Sequence, residues 1–105
     1  MIEYGRFARY DLEDIASWTS QNYGDEQADR YIAMLHDSIQ DLADGQYASR
    51  PLKDSESIRV SYVRWPKATY GHNVFHERTP DGIYIYRILH SSSDLPLVLV
   101  VDSGE

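Results

Sequence analysis

The chain has 105 residues, a formal net charge of −7 and no cysteine, which leaves room for one modest core and excludes a disulfide framework or a thiolate metal site. No apolar run is long enough to cross a bilayer or to act as a signal peptide, so the sequence predicts a single cytoplasmic domain over 1–105. The charge is polarised: residues 11–44 carry nine acidic side chains and one basic (Arg30), whereas residues 45–78 carry six basic against three acidic. Nonspecific grip on nucleic acid needs a dense cationic face, and this balance instead predicts a solvated acidic helix surface beside a mildly basic sheet.

Ile2 to Phe7 alternates weakly and reads as a short first strand. From Ala8 the period changes. Ala8, Leu12, Ile15, Ala16, Thr19 and Tyr23 recur at spacings of three and four, which stacks them on one helical face. Gly24 ends that helix, and Asp25 stands where the next helix wants an N-cap, with Glu26 in its first turn. Ala28, Tyr31, Ile32, Leu35, Ile39, Leu42 and Ala43 form the stripe of the second helix, which Gly45 stops. So short a link folds the two helices back as an antiparallel hairpin.

Gln46 to Glu56 lacks a period and holds Pro51, so it reads as a connecting loop. Ser57 to Trp65 alternates with an irregularity near Tyr62–Val63, and Pro66 ends it. His72 to Arg78 and Ile83 to His90 flank Asp81–Gly82, a dipeptide that accepts the positive φ angles of a hairpin turn. Leu97 to Val101 is a β-prone apolar run after Pro96, a further C-terminal strand that covers a sheet edge or offers it to a partner. The predicted fold is α+β: β-α-α-β-β-β, an antiparallel sheet packed against an N-terminal helical hairpin, with that extra strand.

Strict alternation puts Arg87 on the face of Ile83, Ile85 and Leu89, and His90 on the face of Tyr84, Tyr86 and Ile88. Arg87 either pairs with a helix carboxylate or contacts a target. His90 is a hydrogen-bonding strand end or, less often, a general acid–base group. His72 and His76 lie roughly 13 Å apart along a strand, too far to share one ion, so no metal site is expected. Trp18 and Trp65 either complete the core edge or anchor a partner, since tryptophan is enriched at interface hot spots.

Several ordered segments resemble the toxins of the RelE/ParE superfamily. Ala8-Arg9-Tyr10-Asp11-Leu12-Glu13-Asp14-Ile15 is similar to the first-helix pattern of these proteins, and Gly24 to Tyr31 to their interhelical turn. Leu42-Ala43-Asp44 with Arg50-Pro51-Leu52 resembles the exit from the second helix. The strongest match is Gly71-His72-Asn73-Val74-Phe75 through Asp81-Gly82-Ile83 to Arg87-Ile88-Leu89-His90, with Asp94 beyond. The resemblance implies one of two activities. RelE-like members cut messenger RNA in the ribosome without a metal, using Lys and Arg that project from the sheet. ParE-like members inhibit DNA gyrase by protein–protein contact, and an antitoxin with an extended tail silences both kinds.

Phosphoryl transfer of the first kind needs several cations converging on one phosphate. Here Ser61 follows Arg59 on its face, Asn73 follows His72, and Ser91, Ser92 and Ser93 follow His90, so the cationic set is thin. The ending Arg87-Ile88-Leu89-His90 is itself more similar to the ParE branch. The expectation is a ParE-like toxin without a cofactor, in a hetero-oligomer with its antitoxin and reaching DNA only through it. Trp18, Trp65, Arg87, Leu97, Val98 and Leu99 are its candidate partner-binding residues. The alternatives are a nuclease using Arg59, Arg64, Arg78 and His90, or a different arrangement of Arg64, Arg78 and His76, or an inactive member that only binds antitoxin.

Overall fold

The computed structural model describes residues 1–64 and 71–91. Within them the order is β1 (Ile2–Tyr4), α1 (Arg6–Tyr23), α2 (Asp25–Ala43), β2 (Arg50–Pro51), β3 (Arg59–Val63), β4 (His72–Thr79) and β5 (Gly82–His90). The strands form one sheet in the order β1-β5-β4-β3-β2, antiparallel throughout except that β1 runs parallel to β5. This is the α+β layering that the sequence predicts, with two additions. β1 returns to pair with the last described strand, and two residues of the expected loop, Arg50 and Pro51, pair with Val60 and Arg59 as a short edge strand. A proline is tolerated there because an edge residue has one side without a ladder partner.

A single residue, Gly24, joins the helices. Its φ of 95° suits glycine, and it closes α1 (Gly24 N–H to Ser20 O, 2.9 Å) while its own carbonyl accepts the first bond of α2 from Ala28 (3.1 Å). Asp25 is therefore the first residue of α2 and not its N-cap. Its carboxylate accepts the Ser20 hydroxyl, so a side chain placed for capping ties the two helices instead. α1 also starts at Arg6, earlier than the sequence predicts, and takes Phe7 from the first strand. At the other end α2 closes in a Schellman arrangement, Gly45 N–H to Leu42 O and Gln46 N–H to Asp41 O.

The main core lies between the helices and one face of the sheet. Ala8 and Ile15 of α1, with Tyr31, Leu35, Ile39 and Leu42 of α2, pack on Val63, Val74, Ile83, Ile85 and Ile88. The opposite sheet face buries Val60, Phe75 and Leu89, with Leu52, Ile58 and Tyr86 against them. The assignment of faces along β5 departs from strict alternation. Phe75 pairs with Arg87 but His76 pairs with Ile85, so Tyr86 is the extra residue of a β-bulge. One inserted residue reverses every side chain after it. Ile88 thus joins Ile83 and Ile85 in the helix-facing core, while Leu89 goes to the opposite face. The irregularity expected near Tyr62–Val63 is absent from the β3–β4 ladder, whose register is continuous from Arg59 to Val63. Among the described residues no helix is long and apolar enough to cross a membrane.

Candidate functional site

Two polar clusters and one aromatic surface hold the described residues singled out above. The first cluster is centred on Asp11. Its spacing from Ala8 and Ile15 places it on the buried stripe of α1, where a carboxylate must be fully satisfied. Arg87 donates to it from Nε (2.8 Å) and Nη2 (2.9 Å), and the backbone N–H of Ile88 donates to the same carboxylate (3.0 Å). The paired side chains are only 13% and 10% exposed, and the Arg87 guanidinium lies over the Phe7 ring at 5.7 Å. The bulge at Tyr86 sits beside Arg87, and the bidentate pair holds α1 to the sheet. Arg87 is therefore turned inward onto a helix carboxylate.

His72 extends this cluster. Its Nδ1 and the Tyr31 hydroxyl of α2 are hydrogen-bonded at 2.6 Å, and its ring meets that of His90 edge-on at 5.7 Å. Burial, helped by the neighbouring His90 and opposed by Asp11, brings the His72 pKa down to about 4. The imidazole is neutral at pH 7.

The second cluster surrounds a cleft of about 240 Å³ at the C-terminal end of α2, lined by Leu42, Gly45, Tyr47, Ser49, Arg59, His76, Arg78 and Ile83. Register places it there: Arg59 pairs with His76 across β3–β4, and Arg78 is two residues further along β4. Arg59 donates from Nε to Ser49 Oγ (2.7 Å) and from Nη2 to Ser49 O (3.0 Å). Arg78 donates to Ala43 O (2.9 Å) and Leu42 O (3.1 Å), so a cation meets the negative end of the α2 dipole. Ser61 gives its single proton to Ala48 O (2.8 Å), which requires His76 to donate from Nε2 to Ser61 Oγ (3.0 Å). Burial first, and then the charges of Arg59 and Arg78, together lower the His76 pKa to about 4.

Of the four residues of the nuclease alternative, the fold brings together two. Arg59 and Arg78 share the cleft. Arg64 lies five residues along from Arg59, roughly 17 Å at strand rise, where Gly71 packs against the Val63 carbonyl and Arg64 Cα. His90 pairs with His72 at that same far end. Both cleft guanidiniums are engaged with backbone carbonyls or Ser49, and the imidazole between them is neutral and hydrogen-bonded. Sequence reading missed His76 as the centre of this cluster, together with Tyr47, Ser49 and Ser61. The pairing register alone brings them together.

The third feature is on the outside of the hairpin. Trp18 is 49% exposed and Tyr23 60% exposed, and their rings meet edge to face at 5.9 Å and 66°. Trp65, Leu97, Val98 and Leu99 lie outside the described residues.

With this layering and these sites in hand, the chain falls into the class of small α+β proteins that set a helical hairpin on a mixed sheet. Residues 2–95 match the family described as ParE toxin of type II toxin-antitoxin system, parDE, and the chain belongs to that family. It is 34% identical over 87 residues to Toxin ParE1 of Caulobacter vibrioides, covering 83% of this chain and 84% of that protein. Its fold is similar to a chain in a structure titled Chromosomal ParDE TA system from P. aeruginosa. That match has a TM-score of 0.67 at 23% identity and covers 85% of this chain and 92% of the other.

Proposed function

We propose that this toxin arrests growth by inhibiting DNA gyrase through protein–protein contact, and that a cognate antitoxin neutralises it in the cytoplasm. One observation carries the first half of this reading. The arginines of the nuclease alternative do not converge: Arg59 and Arg78 fasten the end of α2 and the segment after it, and Arg64 and His90 stand at the far end of the sheet. Stabilising a phosphorane takes donors preorganised around one point, and these are distributed over two. Family membership and the likeness to Toxin ParE1 support the choice of branch.

The antitoxin half rests on the acidic hairpin. Apart from the buried Asp11, eight acidic side chains in residues 11–44 favour a tail bearing Lys or Arg, because complementary charge speeds encounter and fixes register. Such a tail would lie along α1 and α2 and the sheet edge, and operator DNA would be met only through the antitoxin's own DNA-binding half.

The deciding experiment induces the chain without an antitoxin and follows the DNA-damage response and transcript integrity in one culture. Filamentation with an induced damage response and intact messenger RNA is expected. Codon-positioned cleavage of translated transcripts without a damage response overturns the reading. Harmless expression in a host with the native gyrase marks an inactive member.

A further inference from the structure

We propose that Trp18 and Tyr23 form a docking pad for a cationic side chain, arginine or lysine, on the extended tail of a protein partner; this rests on the antitoxin reading above and names the residues that would grip the tail. The main core contains neither ring. Instead the two sit at the turn between α1 and α2, half or more exposed and packed edge to face against each other. The face of an aromatic ring is negative, so a guanidinium or ammonium is drawn to it.

The surroundings choose the same sign of charge. Asp14 lies one helical turn before Trp18 and is exposed, and Asp25 and Glu26 stand just past Gly24 in the first turn of α2. The one cation of residues 11–44, Arg30, is taken by Glu26 at 3.4 Å. Phosphate backbones and anionic lipid headgroups are repelled by such a surface. A basic protein segment is not. The Asn22 side chain bonds the Trp18 carbonyl (2.8 Å), and the Ser20 hydroxyl is bonded to the Asp25 carboxylate, so the turn that carries the pad is held before a partner arrives.

The test uses the full chain, nitrogen-15 labelled, and two amidated peptides of alternating leucine and arginine or leucine and citrulline. Citrulline keeps the shape of arginine and removes its charge. The Trp18 indole resonance is identified by its disappearance in Trp18→Phe. Saturable movement of that resonance with the arginine peptide is expected, with about fivefold weaker binding of the citrulline peptide. Trp18→Ala should weaken the arginine peptide about tenfold, and Tyr23→Ser should weaken it less. Equal binding of the two peptides, or binding that leaves the Trp18 indole unmoved, overturns the proposal. An antitoxin that binds wild type and Trp18→Ala equally well removes the pad but leaves the antitoxin reading. If no antitoxin relieves toxicity while the arginine peptide still moves Trp18, the pad survives and the antitoxin reading fails.

Discussion

The two polar clusters on the helix-facing side of the sheet use the same chemistry, arginine and histidine with hydroxyl partners, for opposite purposes. Around Asp11 the charges are sealed between layers, and the carboxylate accepts three hydrogen bonds from β5. Around His76 the arginines stay exposed at the rim, and they tie down the end of α2 and the segment leading to β2. What separates the clusters is water. A guanidinium at a rim loses little when its partner is removed, whereas a buried ion left alone bears the full desolvation cost.

Asp11→Ala should therefore be the most damaging single change. It leaves Arg87 buried without its carboxylate, and the expected loss is about 3–5 kcal/mol in urea unfolding. A loss below about 1 kcal/mol would mean that the pair is solvated and the contrast between the clusters is false. Acid probes both clusters through their histidines. His72 and His76 have folded pKa values of about 4 against 6.5, so the unfolded chain binds more protons between those values. Their stabilisation is complete above pH 6.5 and lost as the pH falls toward 4. From pH 6.5 to 5.0 each should contribute a loss of about 1.5 kcal/mol. Removing one of them, as in His76→Gln, should roughly halve the pH slope of stability. An unchanged slope would place the titration elsewhere.

Arg78→Ala should cost about 1–2 kcal/mol, since it strips the charged donors from two carbonyls at the end of α2. Growth arrest by the variant should persist if the arginine is structural, and a toxicity assay beside the melt separates the two roles. Trp18→Ala belongs to neither cluster and should stay within about 0.5 kcal/mol of wild type in the same melt. A larger loss would make the indole part of the core after all.

Much of this architecture could be read from the chain because its signals are local. The apolar stripe of α2 and the Asp81–Gly82 hairpin each lie within one stretch of sequence, and both formed where expected. The parts that escaped are those set by distant partners. β1 alternates too weakly to reveal that it pairs in parallel with β5, and Arg50–Pro51 becomes a strand only because β3 passes beside it. The bulge at Tyr86 is invisible in the alternating pattern of β5, yet it decides which face Ile88 and Leu89 occupy. The site followed the same rule. A helix carboxylate is among the partners expected of Arg87, but the α1 stripe read from spacing leaves Asp11 out, and the meeting of Arg59, His76 and Arg78 requires the β3–β4 register.

The parallel pairing of β1 with β5 also sets a schedule for folding. Gly82 has a φ of 153°, and a methyl group there would lie 1.8 Å from the Met1 carbonyl, so the hairpin turn and the first residues share one tight seat. β1 is thus synthesised well before the neighbour it pairs with, across a loop that encloses most of the chain. Such a closure is slow and entropically expensive. A nascent chain halted before Gly82 has helices but nowhere to put Ile2 and Tyr4. The β1–β5 ladder can form only after β5 has left the ribosome.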